Sequence, residues 1–192
     1  MTRPMKILGI GGTTSENSST EKALAVALAS AKERGADVEL IGSKTLAALP
    51  HYAYGVVEQS TDAAEFVAKI RQADGLILAT PCYHGSVSGL MKNALDYVEE
   101  TAKDSRVYLD GVPVGLIVNA YGWQAIGPTL TTMRSIVHAL RGWPTPFGAG
   151  IKVSSGLFDG TQVTDADIAA QLALVGSQVA DFTARNQLAA AS

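Results

Sequence analysis

The chain has 192 residues, of which 47% are hydrophobic and 17% charged, and its formal net charge at pH 7 is -3. These values predict one globular domain over residues 1–192 and argue against a disordered chain or one with a basic, nucleic-acid-binding surface. The single cysteine excludes an internal disulfide, no Cys and His pairs stand at zinc-site spacing, and the apolar run 7–12 is too short to span a membrane. We therefore expect a cytoplasmic protein with no metal site and no membrane or nucleic-acid partner.

Five short apolar runs predict β-strands, and five longer periodic segments between and after them predict helices. The predicted strands cover residues 5–10, 38–41, 75–79, 112–118 and 146–153. The predicted helices cover residues 20–34, 62–73, 88–102, 129–140 and 164–184, with a frayed tail over 186–192. Strict alternation of this kind is typical of a doubly wound α/β protein, so we predict a three-layer α/β/α sandwich around a five-stranded parallel sheet.

The loop after the first predicted strand combines glycine, hydroxyl side chains and a helix start. Ligands of doubly wound sheets bind beyond the carboxyl ends of the strands, and helix N-termini attract anions. The loop contains neither a P-loop motif nor a dinucleotide fingerprint, since Thr14 stands where the latter needs Gly or Ala. A ligand with a terminal monophosphate remains possible, and FMN is a common ligand of this kind. The alternative is that the loop only caps the helix, through Ser18 with Glu21. The candidate phosphate-binding residues are Gly12, Thr13, Ser15, Ser18, Ser19 and Thr20.

The loop after the third predicted strand contains the only cysteine, a histidine and a tyrosine. A phosphatase motif is excluded because Ser88 replaces its arginine, and a nucleophile elbow is excluded because Val87 replaces its serine. A Cys82–His84 pair on a turn has no third group to orient it. Proline and glycines here favour a flat ligand lying along the backbone; a connecting loop with a buried cysteine is the alternative. The candidate residues are Pro81, Cys82, Tyr83, His84, Gly85 and Ser86.

Two motifs together resemble the NAD(P)H-dependent FMN reductases of flavodoxin-like fold. The first is G-T-T-S-E-N-S-S-T followed by K-A-L, over residues 12–24. The second, more specific one is P-x-Y-H-G-S-x-x-G-x-x-K-N-A-L-D over residues 81–96. The resemblance covers residues 5 to about 185, and its first motif departs from many family members, which have Arg in place of Ser15.

The resemblance implies a sheet of strand order 2-1-3-4-5 with FMN at its carboxyl edge. The phosphate would lie against the first loop, through Thr13, Ser15, Ser18, Ser19 and Thr20, and residues 81–86 would line the isoalloxazine ring. A third segment, after the fourth strand, would close the pyrimidine side of the ring. That segment consists of Tyr121, Gly122, Trp123 and Gln124.

The implied activity is hydride transfer from NADPH or NADH to FMN and onward to a small acceptor. Because the flavin carries this chemistry, no catalytic side chain is expected. Free FMN passed to a flavin-dependent monooxygenase, quinones, azo dyes and metal oxyanions are all open as acceptors. A flavodoxin-like electron carrier and a non-catalytic FMN-binding module are the competing interpretations.

A homodimer, or a dimer of dimers, is also implied. On the predicted helix 88–102, one apolar row should pack on the sheet, while Leu90, Ala94 and Tyr97 form a second row. We predict that this second row lies at the dimer interface. The alternative is that residues 43–60 or the last helix cover it within the chain.

Overall fold

Five parallel strands form the central sheet of the protein, for which a computed structural model describes residues 3–190. The strands of the sheet are β1 (Lys6–Gly11), β2 (Asp37–Ile41), β3 (Gly75–Tyr83), β4 (Ser86–Val87), β5 (Pro113–Ala120) and β6 (Trp143–Lys152). The parallel strands lie in the order β2-β1-β3-β5-β6, and the short β4 pairs antiparallel with the end of β3. Counted without β4, this is the expected order 2-1-3-4-5, so the predicted fold class is confirmed, with β4 as an unpredicted addition.

Helices cover both faces of the sheet. They are α1 (Ser19–Glu33), α2 (Ser43–Ala48), α3 (Thr61–Gln72), α4 (Gly89–Asp96), which continues as a 3-10 helix (Tyr97–Thr101), α5 (Trp123–Ala139) and α6 (Ala166–Ala190). One core layer joins the sheet to α3, α4 and α5, and the other joins it to α1 and α6. Helices α1 and α6 cross at Gly176, where a Cβ would lie 1.9 Å from the Ala27 carbonyl oxygen. Only glycine allows the two helices to approach so closely.

Several element boundaries differ from the sequence prediction. Helix α5 begins at Trp123 rather than at residue 129, and it continues through Pro128, which lies inside the helix and lacks the backbone N–H for one intrahelical hydrogen bond. The predicted frayed tail is wrong over 186–190: α6 continues to Ala190, and the Asn186 side chain donates a hydrogen bond to the Gly111 carbonyl oxygen at 2.9 Å. Residues 191–192 lie outside the described residues. Helix α2 and a small hairpin, β7 (Phe158–Asp159) with β8 (Gln162–Val163), were not predicted.

The second apolar row of α4 is covered within the chain. Ala94 and Tyr97 are only 1% and 0% exposed. The Tyr97 hydroxyl donates to the Pro50 carbonyl oxygen at 2.9 Å, its ring packs edge-on against Tyr52, and the Asn93 side chain holds the backbone of the same segment. The prediction that this row forms a homodimer interface is therefore wrong. The segment between α2 and α3 satisfies its polar groups on Asn93 and Tyr97, and of the three residues in the row only Leu90 is partly exposed.

Within residues 3–190, no helix is both long enough and apolar enough to cross a membrane.

Candidate functional site

The carboxyl ends of β1, β3 and β5 bring the three predicted segments together at one edge of the sheet. These strands are neighbours in the sheet, and Pro81 of β3 lies in register with Asn119 of β5. The backbone N–H of Gly12 donates to the Ala79 carbonyl oxygen at 2.8 Å, which fixes the start of the first loop against β3. Residues that are distant in sequence thus meet where doubly wound proteins bind their ligands.

The first loop ends in a capped helix N-terminus that still has free donors. The Ser18 hydroxyl accepts the backbone N–H of Glu21 at 3.2 Å, as an N-cap does. The backbone N–H groups of Ser19 and Thr20 have no acceptor among residues 3–190. Together with the positive end of the helix dipole, they form a site suited to an anion. The capping interpretation is therefore correct for Ser18, and it leaves room for an anion.

The hydroxyl groups of this loop fall into two sets. Ser15 is exposed, and Ser18 and Ser19 are half-buried, so all three can meet a ligand. Thr13 and Thr20 are 4% and 3% exposed, and Thr13 Oγ1 accepts the backbone N–H of Ser15 at 3.4 Å. The two threonines therefore support the loop from inside.

The Glu21 carboxylate fastens the loop to the next part of the chain. One oxygen accepts the backbone N–H of Asn17, a residue in the left-handed conformation with φ of 55°, at 2.9 Å. The other accepts the backbone N–H of Ser43 at the start of α2, at 2.5 Å. The first loop is thus held in one shape, and a carboxylate stands beside the helix N-terminus. The sequence pointed to Glu21 only as part of a capping box.

The second segment is a β-hairpin rather than a loop. Strand β3 extends to Tyr83, and His84 and Gly85 form the turn with φ of 53° and 83° before Ser86 pairs back with Tyr83. Positive φ at both central residues is typical of a tight hairpin turn. The Tyr83 side chain is 49% exposed, so an aromatic ring stands at the edge next to the first loop's strand.

Cys82 faces the helix layer rather than the open edge. Its Sγ lies 2.8 Å from Thr129 Oγ1 and 3.4 Å from the Ala125 carbonyl oxygen, and both of these residues belong to α5. Only the backbone of Cys82 is left to line a ligand.

Ser88 joins the first and second segments, although the sequence analysis gave it no role. Its buried hydroxyl donates to the Gly12 carbonyl oxygen at 2.5 Å and accepts the backbone N–H of Met91 at 3.0 Å, which caps α4. A Cβ on Gly12 would lie 2.5 Å from the Met91 Cβ, so the loop touches the helix backbone itself. The sequence signal that could have identified Ser88 is its position three residues before Met91, where a serine hydroxyl can cap a helix by accepting a backbone N–H.

The third segment places two further aromatic side chains at the edge. Tyr121 is 84% exposed, and Trp123, in the first turn of α5, is 63% exposed. Gly122 precedes the helix without a side-chain cap, and Gln124 is exposed beside it. Flat aromatic surfaces near an anion site are suited to a ligand that combines a ring system with a phosphate.

A buried amide completes the edge and was not identified from the sequence. Asn119, next to last in β5, is 3% exposed, and neither its side-chain oxygen nor its nitrogen has a hydrogen-bond partner. Buried polar groups almost always have partners, so an unpaired amide beside a candidate site fits a ligand with hydroxyl groups. The donor set, the exposed rings and this amide together fit FMN. Across the part of the chain that the structure describes, no group of three or more His, Cys, Asp or Glu side chains is placed to hold a metal ion.

The fold and this edge define a flavodoxin-like α/β protein, and comparison with solved structures agrees on the fold. The flavoenzyme NAD(P)H:(acceptor) oxidoreductase FerB of Paracoccus denitrificans matches with a TM-score of 0.77 at 18% identity, covering 94% of this chain and 98% of its own. An oxidoreductase of Corynebacterium diphtheriae matches with a TM-score of 0.73 at 19% identity, covering 96% and 99%.

Sequence comparison then identifies the family. The model of the NADPH-dependent FMN reductases matches residues 5–151, which include all three segments, and the chain belongs to this family. An FMN-dependent NADPH-azoreductase of Staphylococcus haemolyticus is 40% identical over 112 residues, 57% of this chain and 56% of that protein. One from Staphylococcus aureus is 45% identical over 78 residues, 41% and 38% of the two chains. The chain thus matches about half or less of the length of these curated relatives.

Proposed function

We propose that the protein is an NADPH-dependent FMN reductase that binds FMN at the carboxyl edge and passes its electrons to a small acceptor. The observation that carries this proposal is the convergence of the three segments on β1, β3 and β5, in a chain that belongs to the FMN reductase family. NADH is the alternative donor; one structural neighbour, at 22% identity, is an NADH:FMN oxidoreductase.

The phosphate would be held at the N-terminus of α1. The free backbone N–H groups of Ser19 and Thr20 and the accessible hydroxyls of Ser15, Ser18 and Ser19 provide the donors. Thr13, Thr20 and Gly12 would act by shaping the loop. With no arginine or lysine within residues 12–21, the helix dipole and neutral donors oppose the repulsion from Glu16 and Glu21. We infer that FMN is held loosely enough to exchange.

The ring system would lie between the β3–β4 hairpin and the start of α5. Backbone groups of Pro81, Cys82 and the turn through Ser86 would face its edge, while Tyr83, Tyr121 and Trp123 offer aromatic surfaces. Bound FMN supplies hydride acceptance from NADPH and electron donation to the acceptor. The side chains at this edge would only bind and orient, because the flavin carries the chemistry.

The acceptor would enter at the same open edge. The names of the curated relatives favour an azo compound, and the exposed aromatic side chains favour a flat acceptor of this kind or a quinone. A homodimer, a cytoplasmic location and a flavin-dependent monooxygenase as recipient of reduced FMN remain predictions. Any dimer interface must use a surface other than the buried row of α4.

The test is NADPH oxidation by the purified protein, followed by the loss of NADPH absorbance. We expect oxidation to require added or bound FMN and to drive the bleaching of an azo dye in the absence of oxygen. NADH in place of NADPH tests the donor. Failure to oxidise either nicotinamide in the presence of FMN would contradict the enzyme assignment, and FMN binding without oxidation would favour the electron carrier.

A further inference from the structure

A groove lies at the amino ends of β5 and β6, at the opposite end of the sheet from the proposed FMN site. Its volume is about 950 Å³, which is within the range of small-molecule binding sites. Strand β5 has 8 residues, so roughly 25 Å of sheet separate this amino-end groove from the carboxyl edge. A molecule in the groove is therefore too far from that edge to accept a hydride there, and binding in the groove would be a separate property of the protein.

Two anchored segments line the groove. The backbone N–H of Trp143, at the start of β6, donates to the Val112 carbonyl oxygen at 2.8 Å. The Asn186 side chain, near the end of α6, donates to the Gly111 carbonyl oxygen at 2.9 Å. Both segments are thus fixed to the residues that lead into β5. A ligand would find the groove already formed and would not have to order its backbone.

Both segments expose aromatic side chains to the groove. Trp143 on β6 and Phe182 on α6 are exposed, and both line the groove together with Pro144 and Pro146. Covering apolar surface of this kind is favourable, and aromatic rings also prefer to pack against other rings. The shape and the lining therefore suit a flat aromatic molecule.

The lining of the groove is positively charged, although the formal net charge of the chain is -3. Three arginines and two aspartates give the lining a net charge of +1, and these residues are Arg3, Asp74, Arg106, Asp110 and Arg185. Two of the arginines already have partners: Arg3 pairs with the Asp74 carboxylate, and Arg106 donates to backbone carbonyl oxygens. An aromatic ligand with a negative charge fits this lining better than a neutral or positively charged one.

Arg185 is available to bind that charge. Its guanidinium carbon lies 5.5 Å from the centre of the Phe182 ring. Within residues 3–190, the Arg185 guanidinium forms no ion pair and no side-chain hydrogen bond. Its planar group can therefore donate two hydrogen bonds to a carboxylate or sulfonate on a ligand whose ring system lies near Phe182.

We propose that the amino-end groove binds a flat aromatic molecule with one anionic group, a carboxylate or a sulfonate. The rings lie against Trp143 and Phe182, and the anionic group lies at Arg185. A phosphate monoester with two negative charges fits less well, because the Asp110 carboxylate lines the same groove. This inference does not depend on the proposed FMN site.

The experiment uses three naphthalene probes that differ in one substituent. They are 2-naphthalenesulfonate, 2-naphthoate and the neutral 2-naphthalenesulfonamide. Binding is measured by titration calorimetry in the presence of excess FMN, which keeps the probes out of the carboxyl edge. We expect the two anions to bind, and the sulfonamide to bind at least about threefold more weakly because it cannot form the ion pair with Arg185.

Substitutions in the groove assign the contacts. Arg185→Gln should weaken both anions at least about threefold and leave the sulfonamide unchanged, while Asp110→Asn should strengthen the anions. Trp143→Ala should weaken all three probes about tenfold, since it removes the ring that they pack against. Arg141→Gln is the matched control, because Arg141 is a cation at the same end of the sheet that lies over the Tyr108 ring and does not line the groove. This control should bind all probes like wild type.

Equal affinities of wild type for the sulfonate and the sulfonamide, or unchanged anion binding in Arg185→Gln, would overturn the assignment of the anionic group. Absence of binding by all three probes at millimolar concentration would overturn the groove as a ligand site. Sedimentation of the same samples tests the other occupant: a wild-type dimer that Trp143→Ala makes monomeric would assign the groove to a second copy of the chain. Failure to bind FMN would remove the proposed function and leave this inference standing.

Discussion

The two ends of the sheet differ in how their polar groups are used. At the amino end, a groove of about 950 Å³ is lined by apolar residues such as Trp143, which is 70% exposed, and by several arginines. Many of its polar side chains are paired; Arg3, for example, forms two hydrogen bonds to the Asp74 carboxylate, at 2.6 and 2.7 Å. At the carboxyl end, backbone N–H groups of α1 and the Asn119 amide are unpaired. Unmet hydrogen bonds, rather than the size of a groove, therefore mark the site.

Arg106 shows how the amino end is used for stability. Its guanidinium donates to the carbonyl oxygens of Ala73, Ile70 and Arg71, at 2.6, 2.8 and 3.2 Å, and so closes the C-terminal end of α3. Burial lowers the pKa of Arg106 below its ordinary value. A side chain already committed to three backbone groups stabilises the fold and has little left for a ligand.

Replacing one glycine at each end of the sheet should give the largest difference in FMN affinity between two variants. Gly12→Ala at the carboxyl end places a Cβ 2.5 Å from Met91, and Gly142→Ala at the amino end places one 2.9 Å from Val137. Both should lower the free energy of unfolding by about 1–3 kcal/mol through overpacking. Only Gly12→Ala should also weaken FMN binding, by at least about tenfold, because it displaces the loop that Ser88 holds. Denaturant unfolding and flavin titration measure the two effects; equal FMN affinities for both variants would contradict the comparison.

A positive charge added to the first loop should strengthen FMN binding at the carboxyl end of the sheet. Ser15→Arg provides a guanidinium near the phosphate, and it should tighten FMN binding about tenfold, because hydrogen bonds between charged groups are the stronger ones. Riboflavin affinity should not change. Ser15→Gln, which is polar but uncharged, is the matched control, and flavin titration at two salt concentrations measures the effect. An equal gain for riboflavin would place the phosphate elsewhere.

Replacing the only cysteine should have a small effect, although it lies in the second segment. Because its Sγ faces Thr129 and Ala125 of α5, Cys82→Ser keeps a hydrogen-bonding group in the same place. We expect NADPH oxidation and FMN affinity within about twofold of wild type, since an ordinary hydrogen bond contributes only about 1 kcal/mol. A hundredfold loss of turnover with normal flavin binding would assign the thiol a role in the reaction.

The substitution with the smallest expected effect on stability at neutral pH is in the segment that covers α4, away from both ends of the sheet. Burial, followed by the hydrogen bond from its hydroxyl to Glu100 at 3.0 Å, raises the pKa of Tyr52 above its ordinary value. The unfolded chain therefore ionises first as pH rises, so the stabilisation is complete below about pH 10 and is lost at higher pH. Tyr52→Phe should reduce the fall in stability between about pH 9 and pH 11. Identical pH profiles for variant and wild type would contradict this assignment.

The sequence was sufficient for the fold because its signals were local and repeated. Apolar runs alternating with periodic segments gave the five parallel strands, and glycine and hydroxyl residues marked the first loop. The sequence predictions were wrong where tertiary contacts decide the structure. The last helix extends past residue 184, and its Asn186 side chain is held by the Gly111 carbonyl oxygen. The predicted interface residues Ala94 and Tyr97 are covered by the segment around Pro50 and Tyr52. No local pattern reports such contacts.

The candidate site was only partly visible for the same reason. Ser88 is important because its hydroxyl donates to the Gly12 carbonyl oxygen in a distant segment. Asn119 is notable because its buried amide has no hydrogen-bond partner. In sequence, one is an ordinary serine before a helix and the other is an ordinary polar residue at the end of an apolar run.

Hydrogen–deuterium exchange of the protein with and without FMN tests the central claim most directly, because it reports on both ends of the sheet in one measurement. We predict that FMN slows exchange in residues 12–20, 81–88 and 119–124, and leaves residues 110–114 and 141–146 unchanged. Protection confined to the amino-end groove, with none in the first loop, would contradict the account.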